Sequence, residues 1–232
     1  MALLVSCSGA GVSARVISTK DTIGVGTQRL LVEIQGPDRE PLETSSPPRA
    51  TLRDENGSPL GEYPGELVWL IPDVEPVYSF VVDIPEAETY QLTVDVEAMG
   101  STAPAGFVAV DNPVQVESGE PAPEVSGEAV RGPALVVFAS PDWCPSQSCR
   151  PMLEQVEALA ERDAQVSWQH VEVFIDPKAE SKELSGNVQV WGLPSQPWLY
   201  GVDEAGMVVT VFEGGVSDRE IEEAISLITS SR

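Results

Sequence analysis

Histidine occurs once in this chain, at position 170, and lysine and cysteine three times each. A lone histidine offers serine-histidine-acid hydrolysis one candidate base and nothing further to support it. Three cysteines cannot build a disulfide-rich framework, and a structural zinc site needs four ligands at proper spacing. No run reaches the roughly 18 apolar residues of a membrane-spanning helix. No G-x-x-x-x-G-K-[ST] loop is present to cradle a nucleotide phosphate. Positive charge is scarce as well: 13 Lys and Arg stand against 37 Asp and Glu, for a net charge of −24. Such a surface repels phosphate backbones and anionic lipid headgroups, which excludes nucleic acid as a partner.

What is present suffices for a folded protein. The chain has 232 residues, 42% of them hydrophobic, enough to bury a core despite 20 prolines. Residues 13–117 are rich in β-branched residues in short runs: ARVIST, QRLLVEIQ, RATLRD, YSFVVDI, TYQLTVDV and GFVAV. GPDREP, DENGSPL and IPEAE between them carry turn chemistry. Tyr90, Leu92, Val94 and Val96 alternate onto one face. The expectation is an antiparallel all-β sandwich, and Glu88-Thr89-Tyr90 entering a late strand resembles the tyrosine corner of immunoglobulin-like folds. Residues 118–132 are rich in Pro, Gly and Glu and read as a partly extended linker.

From residue 133 the pattern changes. PALVVFAS is a continuous apolar run, as a buried strand would be. SCRPMLEQVEALAERD is helical, with Met152, Val156, Leu159 and Ala160 at three- and four-residue steps. VSWQHVEVFID reads as a strand, SKELSGNVQVWGL holds a short helix, and PWLYGVD and MVVTVFEG form a hairpin. Ser217 and Glu220 are spaced as a capping box that launches a final helix.

Cys144 and Cys149 sit where the first strand gives way to the first helix, in FASPDWCPSQSC. This motif, a proline opening the hairpin and EGGVSDREIEEAI at the end make residues 133–232 resemble the thioredoxin-like superfamily. The whole chain looks like bacterial exported proteins that carry such a domain after a β domain. The resemblance implies an α/β fold of helices on a mixed sheet, with Cys144 as exposed nucleophile and Cys149 as resolving thiol. It also implies that Trp143 shields the pair and that Pro197, after a cis bond from Gln196, shapes the substrate groove. Thiolate chemistry wants a cysteine near a helix N-terminus, where the dipole and free N–H groups stabilise the anion. Three features depart from the family. The spacing is C-x4-C instead of C-x2-C, Val137 stands where a buried aspartate is expected, and the CPSQSC loop holds no basic residue.

The pair is therefore read as a disulfide acting in thiol–disulfide exchange on the thiols or disulfides of exported proteins, without a cofactor. The alternatives are a structural staple in a binding or scaffold protein, and copper handling of the Sco type. The latter wants a histidine near the hairpin, which His170 does not match. The third cysteine, Cys7, follows Leu4-Val5-Ser6 in a pattern that resembles a bacterial lipobox. Residues 1–12 are read as a lipoprotein-type signal remnant or a disordered N-terminus, with Cys7 as lipid attachment site. That reading places the protein in the cell envelope, on the membrane only through a lipid anchor.

Overall fold

A computed structural model describes residues 11–230. Cys7 and the proposed lipid anchor lie outside the described residues. The amino-terminal half consists of β1 (Ser13–Val16), β2 (Gly26–Gln35), β3 (Arg49–Arg53), β4 (Pro59–Ile71), β5 (Glu75–Ile84), β6 (Thr89–Val96), β7 (Gly100–Ser101) and β8 (Ala105–Val108). They pair in the order β1-β2-β5-β4-β3-β6-β7, with β8 also on β6 and every pairing antiparallel. The long strand β4 joins two parts of this sheet. Residues 59–64 pair with β3, and residues 65–71 pair with β5. Alternate residues point inward to one core that includes Leu30, Val32, Leu52, Phe80, Tyr90 and Leu92. The Tyr90 hydroxyl donates back to the Glu86 carbonyl at 2.8 Å, the bond that defines a tyrosine corner.

The carboxyl-terminal half contains β9 (Ala134–Phe138), α1 (Cys149–Ala160), β10 (Ser167–Val171), α2 (Gly186–Val190), β11 (Trp198–Val202), β12 (Val208–Glu213) and α3 (Asp218–Ser230). Its sheet has the order β10-β9-β11-β12, with β9 and β10 parallel and the other pairs antiparallel. Strand β9 is central and buried on both faces, which explains its unbroken apolar sequence. On one face Leu135, Val137 and Leu199 pack against Met152 and Val156 of α1 and Ile221 and Ala224 of α3. On the other face Val136, Phe138 and Tyr200 pack against Val125, Val188 and Trp191.

Residues 118–132 are docked along this second sheet. Gly119 N–H donates to Val208 O at 2.8 Å, Val208 N–H to Glu120 O at 2.9 Å and Ala122 N–H to Gly206 O at 2.9 Å. The segment thereby pairs with the start of β12 at its free edge, where backbone groups would otherwise be unpaired.

The α/β thioredoxin-like domain expected for residues 133–232 is corrected on this point. The described residues are 38% strand and 14% helix. Helices α1 and α3 cover one face of the second sheet, whereas on the other face α2 is a single five-residue turn and the docked segment supplies much of the cover. The cause is local. Residues 172–185 carry Pro177 and the charged run KAESKE, with no apolar stripe at helical spacing from which a longer helix could form. The observed fold is predominantly β, with two sheets and few helices.

The two halves are packed together. Gly214 and Gly215 turn the chain between β12 and α3 against the first sheet. A Cβ on Gly215 would stand 2.8 Å from Leu70 Cδ2 and 3.3 Å from the Trp69 carbonyl oxygen, so the two halves meet closely there. Beside this contact, Arg29 of β2 reaches α3, and Glu213 accepts the Thr19 N–H at 2.9 Å.

Candidate functional site

Cys144 and Cys149 form a disulfide, with Cα atoms 6.1 Å apart. Their environments differ. Cys149 is the first residue of α1 and is 0% exposed, packed among Leu135, Val137 and Met152. Cys144 lies in the preceding loop and is only partly buried. Four residues separate it from the helix start, a consequence of the C-x4-C spacing. The helix field acts on both sulfurs, which are bonded to each other, and the backbone of Cys149 itself opens the helix.

The loop is held from two sides. Gln196 receives the Ser140 N–H on Oε1 at 2.7 Å and donates Nε2–H to the Trp143 carbonyl at 2.9 Å. The same Oε1 lies 3.6 Å from Cys149 Sγ. On the other side, Ser146 Oγ stands 3.4 Å from Cys144 Sγ and 2.7 Å from Ser148 Oγ. Gln147 between the two serines has φ +58°, a left-handed conformation uncommon for a residue with a side chain. Gln147 N–H closes the turn on the Cys144 carbonyl at 3.0 Å.

Trp143 is 44% exposed and stacks edge-on against Phe174, with centroids 5.2 Å apart. Lys182 Nζ lies 5.8 Å from its ring centroid. Trp143, Pro145, Phe174, Leu184, Pro194 and Gln196 line a groove of about 350 Å³ beside the disulfide. The Gln196–Pro197 bond is cis. Pro197 itself is buried beneath the groove, and Pro194 lines it instead.

The structure thus brings Cys144, Cys149, Trp143 and Gln196 together. It also adds Ser146 and Ser148, which the sequence reading passed over although the serine-rich SQS between the cysteines was the available signal. His170 is engaged elsewhere, with Nε2 2.8 Å from the Ala139 carbonyl. Among the described residues no group of three or more His, Cys, Asp or Glu side chains is placed to hold a metal ion.

No family model matches this chain, and no curated protein matches it. Among solved structures it is similar to the crystal structure of the Lin-41 filamin domain. That likeness has 12% identity and a TM-score of 0.28, and covers 42% of this chain and 91% of that one. The resemblance of residues 133–232 to the thioredoxin-like superfamily is therefore corrected together with the fold, since neither the comparisons nor the predominantly β architecture supports it.

Proposed function

We propose that this protein carries out thiol–disulfide exchange through Cys144 and Cys149, on thiols or disulfides of other proteins in an oxidising, extracytoplasmic compartment. The observation that carries the reading is the asymmetry of the pair: Cys144 is reachable from solvent and Cys149 is sealed at a helix N-terminus. An exchange centre needs one sulfur open to attack and a second that leaves as a stabilised thiolate.

The step balances without any further reactant. In the reduced protein, the Cys144 thiolate attacks a partner disulfide, forms a mixed disulfide and expels one partner thiolate. Cys149, as thiolate, then attacks Cys144 Sγ and expels the second. Two electrons pass to the partner, whose two thiolates take up the two protons released by the cysteines. In the opposite direction an external thiolate attacks Cys144 Sγ and Cys149 is the leaving group, its charge met by the first N–H groups of α1.

The test is capture of the intermediate. Cys149→Ala leaves Cys144 without its resolving thiol, so a mixed disulfide at Cys144 should accumulate with glutathione disulfide and with partner proteins. A Cys149→Ala protein whose Cys144 forms no mixed disulfide with glutathione disulfide, even at alkaline pH, would overturn the proposal.

A further inference from the structure

We infer that Ser146, held by Ser148, is the hydrogen-bond donor that keeps the Cys144 sulfur as a thiolate; the inference rests on the exchange reading above. A nucleophilic cysteine needs some source of anion stabilisation, and a contact made to its own sulfur is the one specific to it. The helix field reaches both sulfurs, since they are bonded to each other, and so does not set Cys144 apart. Arg150, the cation that follows the loop, is 3.5 Å from Asp142 and paired with it. Directly against the Cys144 sulfur stands a hydroxyl, Ser146 Oγ at 3.4 Å.

A second serine is placed to set the direction of that hydroxyl, in a contact where either oxygen can donate. Ser148 occupies the N-cap of α1, where a serine side chain ordinarily accepts a backbone N–H, yet it makes no capping bond. It is 2% exposed, and its Oγ lies 2.7 Å from Ser146 Oγ. When Ser148 donates to Ser146, the Ser146 hydrogen is left to point at Cys144 Sγ. The left-handed Gln147 between them turns the two hydroxyls to one side of the loop. A C-x4-C spacing supplies the two additional positions from which such a relay is built. Hydrogen bonding to the charged form of an acid lowers its pKa, so the pair favours thiolate over thiol.

The experiment is the pH dependence of iodoacetamide alkylation of Cys144 in the full chain carrying Cys7→Ser and Cys149→Ala, where Cys144 is the sole thiol. The parent should show a midpoint below the roughly 8.5 of free cysteine. Ser146→Ala should raise that midpoint by about one pH unit, the size of a hydrogen bond to a charged group. Ser148→Ala should raise it by less, and Ser146→Thr, which keeps the hydroxyl, should leave it in place. A parent midpoint at or above 8.5, or a Ser146→Ala midpoint equal to the parent's, overturns the inference. Glutathione exchange by the unsubstituted pair is scored separately. A normal exchanger with an unshifted Ser146→Ala profile sinks the serine relay alone, whereas a shifted profile in a protein that never exchanges sinks the functional reading and leaves the relay standing.

Discussion

Arg29 of β2 and Glu220 of α3 form a two-pronged ion pair, Nε to Oε1 at 2.7 Å and Nη2 to Oε2 at 2.9 Å, with both side chains less than a tenth exposed. The guanidinium also donates to the carbonyls of Glu213 at 2.9 Å and Gly215 at 2.7 Å. Glu220 has a second task. Its Oε2 accepts the Ser217 N–H at 2.9 Å while its own N–H donates to Ser217 Oγ at 3.1 Å, completing the capping box of α3. One carboxylate therefore starts the last helix and joins it to the first sheet. Removing the arginine strands that carboxylate in a buried site. Arg29→Ala should cost about 3–5 kcal/mol in urea denaturation near neutral pH. Replacing both residues with apolar ones of similar volume should cost markedly less.

The pH dependence follows from the same pair. Burial pushes the Glu220 carboxyl up, but the Arg29 guanidinium and the Ser217 N–H outweigh it and hold the group below its ordinary 4.5. A carboxyl lowered by folding adds stability above its unfolded pKa of about 4.3, and the gain is lost as pH falls through the folded value. Stability should therefore decline on acidification below about pH 4.5. Without Arg29 the burial effect dominates and raises the carboxyl, so the deficit of Arg29→Ala relative to the parent should shrink on acidification. A deficit independent of pH would contradict the assignment.

Gln147 holds a left-handed conformation at φ +58° within the disulfide loop. That conformation costs a residue with a Cβ about 1–2 kcal/mol, partly offset in glycine by its larger unfolded entropy. Gln147→Gly should stabilise the oxidised protein by roughly 0.5–1 kcal/mol, and Gln147→Val should destabilise it. Thermal melts of the two variants check the order.

Ser140 and Gln196 should respond in opposite ways. Among the described residues the buried Ser140 hydroxyl has no hydrogen-bond partner, so Ser140→Ala removes nothing and should be neutral or mildly stabilising. Gln196→Ala leaves the Ser140 N–H without the acceptor it has at 2.7 Å, and should cost about 1–3 kcal/mol. Chemical denaturation of both variants, in the oxidised state, makes the comparison.

Gly192 lies at φ +68°, and a Cβ there would meet the Val114 carbonyl oxygen at 1.8 Å. The contact lies where residues 114–116 dock, with Val116 N–H donating to the Trp191 carbonyl at 3.1 Å. Gly192→Ala should cost more than about 3 kcal/mol, combining backbone strain with a backbone clash. Limited proteolysis should then open the chain between residues 114 and 132, which would be cut slowly in the parent.

Sequence patterning reached the strands that alternate cleanly. TYQLTVDV reads as β6 by its alternation, and PALVVFAS as β9 by its unbroken apolar run. The Ser217–Glu220 box was legible because its spacing is local. The longest strand, β4, was not, since Pro64 and the glycines of PLGEYPGELVWLI interrupt its period where the strand passes between partners. The docking of residues 118–132 was equally hidden, because main-chain bonds to β12 hold much of it and its composition is that of a free linker. At the site, the cysteines and Trp143 were visible as residue types. The partners of the loop were not. Gln196 reaches it from 47 residues away from Cys149, and the Ser146–Ser148 contact depends on the left-handed turn at Gln147. The joint role of Glu220 lies beyond any local pattern, because Arg29 stands 191 residues from it.

The central claim is that Cys144–Cys149 is exchangeable, and the direct measurement is its reduction potential. A Cys7→Ser protein is equilibrated with glutathione buffers at pH 7, and its free thiols are trapped at each ratio. The account predicts a value within the range of exchange proteins, about −120 to −270 mV. A value below about −300 mV, where structural bridges resist the glutathione pool, would contradict it and leave the disulfide a staple of the α1 loop.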